Sequence, residues 1–397
     1  MDEYSKKTIL KISFIRKFIE VFFSLFFNIY IYKNTNDFSF ILKYNIVGQI
    51  FNFIFIYLLM KFINNKNAKY IFNASFIELI VLILSLLILK ENIIKVIYIF
   101  RILYALEQVS YNTTRELIVM GANTNKSMSD FSANHYILES TATIITPIFS
   151  GFIIDTFSYS ILLIILTIES IITILISTRL KSFYIDNSKM NLKEFINKAK
   201  GYKHLNDSYK CMLYRRISLK GAVTDLLPII LFLRVGTELN VGTYNSIFAI
   251  LSIICLLLLK YRNRKNKEKK FYIPFAIIIF ISSVVLVFNS NIVTFLIYYI
   301  LMNSLGTILE SESCSIIYKA IDIDDMSKYK REHNVIFCTY MLVGELISYG
   351  IAYILYNYFY TINILSISIS IMMAFLIISC MYLSKVEKYF FSINSNF

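Results

Sequence analysis

The chain has 397 residues, of which 57% are hydrophobic and only 17% are charged, and its mean hydropathy is +0.62. Soluble domains average about 45–50% apolar and about 25% charged residues, so this composition excludes a soluble globular protein. The low content of glycine (10) and proline (3) also excludes a loop-rich β-sandwich or a collagen-like chain. We therefore predict a polytopic helical membrane protein.

Apolar runs long enough to cross a bilayer divide the chain. A spanning helix needs about 20 mostly apolar residues, because the hydrocarbon core is about 30 Å thick and a helix rises about 1.5 Å per residue. Twelve runs meet this length, near 10–32, 39–60, 70–89, 93–114, 132–154, 159–178, 213–233, 241–259, 271–288, 292–317, 334–356 and 362–383. They predict an N-terminal six-helix bundle (1–180), a cytoplasmic central loop (181–211) and a C-terminal six-helix bundle (212–397).

The net charge of +14 follows from the membrane topology. Lysines and arginines concentrate in alternate loops, beginning with the N-terminal segment, and the opposite side holds only Lys33, Lys90, Lys95 and Arg234. Because basic residues accumulate in cytoplasmic loops, both termini are predicted to be cytoplasmic. No nucleic-acid partner is needed to explain the charge, since such a partner requires basic residues gathered on one folded surface. The Lys-, Asn- and Ile-rich composition suggests an AT-rich genome and a bacterial cell membrane.

One segment of the central loop has helical periodicity. Leu192, Phe195, Ile196 and Ala199 recur at helical spacing, with lysines and a glutamate on the other face. This pattern predicts either an amphipathic helix on the inner membrane surface or a solvated linker helix.

The two groups of six runs match each other at an offset of 200 residues. Tyr44 and Asn45 align with Tyr244 and Asn245. In the first and seventh runs, Arg16, Glu20 and Ser24 align with Arg216, Lys220 and Thr224. An internal repeat in a membrane helix bundle is typical of secondary transporters, whose substrate sites lie near mid-membrane.

Three segments carry a resemblance to a known family, the major facilitator superfamily. Residues 100–105 (Phe-Arg-Ile-Leu-Tyr-Ala) are similar to its buried-arginine motif, with Ala105 in place of a glycine. Residues 146–151 (Thr-Pro-Ile-Phe-Ser-Gly) resemble its proline-glycine motif of exporters and antiporters, without the glycine that precedes the proline. The loop 60–69 stands where the family has a Gly, Asp and Arg signature, and only its basic character is kept.

The resemblance covers the whole chain and implies both a fold and an activity. The implied fold is all-α, with twelve transmembrane helices in two pseudo-symmetric six-helix bundles. The implied activity is secondary active transport by alternating access, and the exporter-type motif favours proton-coupled efflux of a small, amphipathic or cationic organic molecule. Pro147 and Gly151 of that motif are gating candidates. We expect a monomer in the lipid bilayer.

Ionisable groups at membrane depth cost about 2.5–3.5 kcal/mol on insertion scales, so they face a cavity or a partner. On the first span, polar residues recur at spacings of three and four and share one face of a regular α-helix. This stripe consists of Ser13, Lys17, Glu20, Ser24 and Asn28. We expect it to line the pathway, with Glu20 as a proton carrier. The alternative for such groups is an interhelical ion pair or a side chain that extends to the membrane surface.

Two further spans carry similar stripes. The fifth span has His135, Glu139, Thr143, Thr146 and Ser150, and the eleventh span has Asn334, Cys338, Met341, Glu345 and Ser348. Glu139 and Glu345 are the deep carboxyl groups of these stripes and are predicted to exchange protons. Asp225, near Pro228 in the seventh span, is a third candidate, because a helix break there exposes backbone groups to a cavity.

Arg101 in the fourth span needs an anionic partner, since a guanidinium does not lose its charge. Glu20, Glu139 or an anionic substrate are the candidates. A further hypothesis is a gate in which Glu310 or Glu312 pairs with Arg115 or Lys220. The alternative is that these side chains extend to the membrane surface.

The sequence contains no phosphate-binding glycine loop, no metal-ligand spacing and no catalytic constellation, so we expect a transporter without cofactor or metal rather than an enzyme. Two alternatives to proton-coupled efflux remain open. One is an uptake carrier or facilitator for an anionic solute bound by Arg101. The other is a membrane scaffold that has kept this architecture without transport.

Overall fold

The computed structural model describes residues 3–64, 66–122, 125–180, 190–263, 271–322, 329–359 and 362–394. Regular secondary structure in these residues is entirely helical. The α-helices are α1 (Glu3–Val21), α2 (Phe27–Thr35), α3 (Phe38–Phe62), α4 (Ala68–Leu89), α5 (Ile97–Ala122), α6 (Asn125–Thr156), α7 (Tyr159–Thr178), α8 (Leu192–Ala199), α9 (Lys203–Leu219), α10 (Ala222–Val235), α11 (Glu238–Asn263), α12 (Tyr272–Phe288), α13 (Ile292–Asp322), α14 (Lys330–Phe359) and α15 (Ile362–Asn394).

All twelve predicted spans fall on helices. The first span is α1 and α2 joined by a π-helix, Phe22–Phe26, and the fourth begins with a 3-10 helix, Lys90–Val96, that leads into α5. The seventh span combines α9 and α10, which meet at Gly221, where the backbone adopts a φ of +59°. Glycine tolerates this left-handed conformation because it has no Cβ.

Seven helices of the described residues are long and apolar enough to cross a membrane by length and composition. They account for eight predicted spans, because the third and fourth lie in one continuous stretch, Ala68–Leu117. The ninth, Tyr272–Phe288, is apolar but shorter. The predicted spans that remain are the first, fifth and seventh, which carry buried charges, prolines or the Gly221 break. Polar candidates occur in both groups, because Arg101, Glu310 and Glu345 lie in spans that are apolar enough to cross a membrane.

The chain forms two compact units. Unit 1 contains Met1–Lys189 together with Pro228–Ile247, a helical hairpin formed by the end of α10 and the start of α11. In it, α1 packs on α6 and α7, and α4 packs on α5 and α7. Unit 2 contains Met190–Leu227 and Phe248–Phe397. In it, α9 packs on α14 and α15, and α12 packs on α13 and α15.

These helix pairings repeat between the units. Contacts of the first span with the fifth and sixth correspond to those of the seventh with the eleventh and twelfth, and contacts of the third with the fourth and sixth correspond to those of the ninth with the tenth and twelfth. The repeated packing agrees with the sequence offset of 200 residues.

Helix α8 packs on other helices of unit 2. Its apolar residues Phe195 and Ala199 are buried in a core cluster with Leu205, Tyr209, Met212, Tyr329 and Phe337. The side chain of Asn191 caps the helix by accepting a hydrogen bond from the backbone N–H of Glu194. The apolar face expected to lie on the membrane surface or in solvent is thus covered largely by protein.

Candidate substrate and proton pathway

The first span changes its helical register at its centre. The backbone N–H of Phe27 donates to the carbonyl of Phe22, an i→i+5 bond that closes a wide π-helical turn. The stripe predicted for a regular α-helix is therefore interrupted: Ser24 is exposed, whereas Asn28 is buried and donates its Nδ2 to the carbonyl of Ser24 at 3.3 Å. No proline or glycine marks this turn, so the sequence did not indicate it.

A buried ion pair joins the first and fourth spans of unit 1. Nη2 of Arg16 donates to Oε2 of Glu107 at 2.6 Å, and the exposed fractions of the two side chains are 2% and 0%. Tyr111 packs beside this pair, with its ring centroid 4.9 Å from Cζ of Arg16. Neither Arg16 nor Glu107 is among the predicted site residues, although both are charged residues within predicted spans.

Half-buried charges lie beside this ion pair. Nζ of Lys17 is 3.1 Å from Oε2 of Glu20, and Nε of Arg16 is 3.9 Å from Oε1 of the same carboxylate. Arg115 Nη1 is 3.8 Å from Glu139 Oε1. Unit 1 thus brings the predicted carboxylates Glu20 and Glu139 next to cations while leaving 26% and 22% of their side chains exposed.

Other predicted residues of the fifth span have local roles. The hydroxyl of Thr143 donates to the carbonyl of Ser140 at 2.8 Å, which satisfies it within its own helix. The side chain of His135 lies outside the residues whose side chains the structure describes.

Arg101 lies in a different environment from the one expected. Its guanidinium is buried between the rings of Tyr44 and Tyr104, each with a centroid 5.4 Å from Cζ. It also lies against Gly48, where an added Cβ would be 2.0 Å from Cζ. The expected ion pair with Glu20 or Glu139 is absent from the described residues. The fourth span instead directs Glu107, about 120° away around the helix, to the cation of Arg16.

Unsatisfied polar atoms accompany Arg101 in the contact between α3 and α5. In the described part of the chain, neither Nε nor Nη1 of Arg101 meets a hydrogen-bond acceptor. On α3, Nδ2 of Asn45 and Oδ1 of Asn52 are also buried without a partner, and both lie one turn from Gly48. Buried polar groups normally have partners, so this contact has unused capacity to bind a polar group.

Unit 2 holds a comparable group of charges. Arg216 is 3.1 Å from Glu345 and 3.6 Å from Glu310, and Arg215 is 3.8 Å from Glu310. Lys220 adds positive charge near Glu310. Glu310 and Glu345 are therefore bound to arginines of their own unit.

The two remaining predicted acids of unit 2 lie beside tyrosines. Asp225, in the first turn of α10 directly after the Gly221 break, accepts a hydrogen bond from the hydroxyl of Tyr349. Glu312 is half-buried and lies near Tyr272.

Pro147 and Gly151 lie where α6 contacts the hairpin. An added Cβ at Gly242 would lie 2.1 Å from the carbonyl oxygen of Pro147, and one at Gly151 would lie 2.6 Å from the carbonyl oxygen of Glu238. Ser246 donates to the carbonyl of Ile144 at 2.6 Å in the same contact. Two helices approach here backbone to backbone, which requires glycine on each of them.

No group of three or more His, Cys, Asp or Glu side chains among the described residues is placed to hold a metal ion. The chemistry that the arrangement offers is the protonation of carboxylates and the exchange of their ion-pair partners among arginines and lysines.

Comparisons with known proteins identify the fold. No protein-family model and no curated protein sequence matches the chain. Among solved structures, a bacterial homologue of the human lysosomal transporter Spinster, inward-facing and unoccupied, is 10% identical over 99% of this chain and 98% of that chain, with a TM-score of 0.66. A bacterial homologue of the iron transporter ferroportin, in an inward-facing state, is 11% identical over 96% and 98%, with a TM-score of 0.65. The E. coli fucose:proton symporter is 12% identical over 96% and 97%, with a TM-score of 0.60.

The similarity extends along nearly the whole of each chain. It confirms the predicted all-α, multi-pass membrane fold with twelve transmembrane helices in two pseudo-symmetric six-helix bundles. The protein therefore has the fold of the major facilitator superfamily of transporters.

Proposed function

We propose that the protein is a secondary active transporter that moves a small organic solute across a bacterial cell membrane by alternating access, coupled to protons in the direction of efflux. The observation that carries the proposal is the presence, in both repeats of a transporter fold, of carboxylates that are partly exposed and paired with arginine or lysine. Glu20 and Glu139 are such groups in unit 1, and Glu310 and Glu345 in unit 2.

These ion pairs suit a proton-driven change of state. Protonation neutralises a carboxylate and weakens its attraction to the neighbouring cation, whereas deprotonation restores it. Glu139 is the strongest candidate, because its carboxylate lies 3.8 Å from Arg115, which is longer than a hydrogen bond, and 22% of its side chain is exposed. Burial of the Arg16 and Glu107 pair favours a structural role for those two residues instead.

A flux assay tests the proposal. A thermal-shift screen of organic cations, anions and neutral amphiphiles selects a solute that stabilises the purified protein, and its flux is then followed in proteoliposomes with an imposed pH gradient. We expect uphill movement driven by the gradient, which is lost when Glu20, Glu139, Asp225 and Glu345 are replaced together by their amides. Flux that ignores the gradient would exclude proton coupling, and gradient-driven flux in the amide variant would exclude these acids.

The environment of Arg101 favours a second candidate, a carrier for an anionic solute. A guanidinium with two unpartnered nitrogens, Nε and Nη1, beside two aromatic rings is suited to bind a carboxylate or phosphate of the solute. Transport that requires Arg101 but tolerates the four amide substitutions would support this candidate over proton-coupled efflux.

Labelling of single cysteines distinguishes a transporter from a scaffold without transport. Cysteines placed at positions 24, 139 and 225, in a chain without the five native cysteines, are exposed to a membrane-impermeant thiol reagent from each side. A transporter exposes them in a manner that changes with solute or pH. Complete protection from both sides under all conditions would indicate a sealed bundle.

A further inference from the structure

Unit 1 contains a cavity that is not lined by Arg16, Lys17, Glu20 or Glu107. Its volume is about 390 Å³, within the range of about 300–1,000 Å³ typical of small-molecule sites. Three chain segments form it: the outer end of the first span, the end of α4 with the following 3-10 helix, and the start of α7. The charge distribution of the loops predicts that this end of unit 1 faces outward.

The cavity has an apolar floor. Phe22, Phe27, Leu86 and Leu163 line it and are themselves buried. In a regular α-helix, Phe22 and Phe27 would point about 140° apart, because each residue advances by about 100°. The i→i+5 hydrogen bond between them closes a wider turn, which brings both rings to the same cavity. The π-helical turn thus has a role in shaping this site, as π-bulges often do at functional sites.

The mouth of the cavity is polar. Among its lining residues, Lys33 and Lys90 supply two ammonium groups and Glu91 supplies one carboxylate, and Tyr30 and Tyr159 add hydroxyl groups. Lys90 adopts a φ of +46°, which a residue with a Cβ takes at a cost.

One wall of the cavity is connected to the hairpin. Nζ of Lys33 and the hydroxyl of Tyr159 both donate to the same atom, Oε1 of Glu238, at 2.6 Å and 3.1 Å. Glu238 is buried. Any anion that binds Lys33 therefore competes with the carboxylate of Glu238 for its ammonium group.

We propose that this cavity binds an amphipathic organic anion, with the acidic group at Lys33 and Lys90 and the apolar body on the floor formed by Phe22, Phe27, Leu86 and Leu163. A bound anion shares Lys33 with Glu238 and weakens the contact between the first span and the hairpin. The site is distinct from the proposed pathway, and its occupancy is measured by binding rather than by transport.

The chain lacks tryptophan, which allows a direct binding assay. Tyr30→Trp places one fluorophore at the cavity, and Phe288→Trp places one at an exposed position that does not line it. In nanodiscs of zwitterionic lipid, both are titrated with bromoundecanoate, whose bromine quenches tryptophan on contact. The matched probes are bromoundecanol, which is uncharged, and bromoundecyl trimethylammonium, which is cationic. Nanodiscs with brominated phosphatidylglycerol distinguish an anionic lipid of the membrane from an added organic anion.

Saturable quenching of Tyr30→Trp by the carboxylate, at lower concentration than by either matched probe, is the expected result. Combining Lys33→Gln with Lys90→Gln is expected to raise the half-saturating concentration about tenfold or more, the loss typical of removing hydrogen bonds to a charged group. Glu238→Gln is expected to lower it, because Lys33 is then released. Quenching by the brominated lipid alone would assign the anion to the membrane. Unsaturable quenching that is equal for all three probes, and equal to that of Phe288→Trp, would overturn the proposal.

Discussion

The guanidinium of Arg16 and the carboxylate of Glu107 lie 2.6 Å apart in the interior of unit 1, and they connect its first and fourth helical spans. Unit 2 connects its corresponding spans in a related way, through Arg216 and Glu310 at 3.6 Å. The offset of 200 residues that aligns the two arginines is thus matched by an arginine-glutamate contact in each repeat. The contact of unit 1 is closed and buried, whereas that of unit 2 is longer and shared with Glu345.

Glu107→Gln tests what the buried pair contributes. The substitution keeps the shape of the side chain but leaves the buried Arg16 with only the more distant carboxylate of Glu20, 3.9 Å from its Nε. Breaking a buried pair in this way costs about 3–5 kcal/mol, so the variant is expected to unfold at a clearly lower temperature in detergent. Thermal unfolding followed by size-exclusion chromatography measures the effect.

The double variant Arg16→Met with Glu107→Leu is the control. Replacing both partners by apolar residues of similar size is often neutral or stabilising. We expect it to recover most of the stability lost in Glu107→Gln. A double variant as unstable as the single one would show that packing, not charge, explains the loss.

The helix content, the positions of the spans and the repeat follow from the sequence, because they depend on the length and spacing of apolar runs. Which charged side chains pair with each other does not follow from the length and spacing of these runs. Arg101 and Arg16 are both arginines within predicted spans, yet only Arg16 has a carboxylate partner in the described residues. Which carboxylate an arginine contacts depends on the rotation and packing of neighbouring helices, which the spacing along one helix does not determine.

The hairpin and the π-helical turn were also not predicted from the sequence. Both depend on contacts between distant segments rather than on local signals. The glycine pair Gly151 and Gly242 is a partial exception, because a glycine inside a long membrane helix suggests a close helix contact.

Gly48→Ala is a selective test of Arg101. The added methyl group collides with the end of a long, flexible side chain, so the guanidinium moves while the helices stay in place. We expect stability within about 1 kcal/mol of wild type, since alanine is the better helix former. If Arg101 binds the solute, the apparent affinity of the protein for the solute is expected to fall in Gly48→Ala as well as in Arg101→Gln. Thermal shift with the selected solute measures this.

Gly350→Ala is the matched control, because an added Cβ there meets no atom within 4 Å. It is expected to keep full solute affinity. Loss of affinity in both glycine variants would indicate a general effect of added methyl groups on helix flexibility.

Gly242→Ala is expected to separate the hairpin from α6. Its methyl group would lie 2.1 Å from the backbone oxygen of Pro147, which cannot move without its helix. A cysteine at position 246, a buried site in the same contact, is expected to become reactive to thiol reagents in this variant and to stay protected in Gly350→Ala. Protection in both variants would show that the contact accommodates a methyl group.

The packing of α8 is expected not to change with pH near neutrality, because Lys198 stays protonated there. Its hydrogen bond to the hydroxyl of Tyr329 at 2.7 Å, together with Glu194, raises the pKa of Lys198 above its ordinary value. A group whose folded pKa is raised contributes below its unfolded pKa, about 10.4 for lysine, and loses that contribution only as the pH rises further. Limited proteolysis between about pH 6 and pH 9 should give the same cleavage rate at the α8 segment; a rate that rises across this interval would assign the docking to another titrating group.

The packing of α8 is tested by two neighbouring residues with opposite exposure. Phe195 is fully buried and its ring centroid lies 5.8 Å from that of Tyr329, whereas the side chain of Ile196 is 40% exposed. Phe195→Ala is expected to cost about 3–5 kcal/mol of local stability, the usual range for a buried phenylalanine, and Ile196→Ala much less. Hydrogen exchange of α8 in nanodiscs measures both. A helix held mainly by the membrane surface would instead lose comparable protection in the two variants, because both side chains would then insert into lipid.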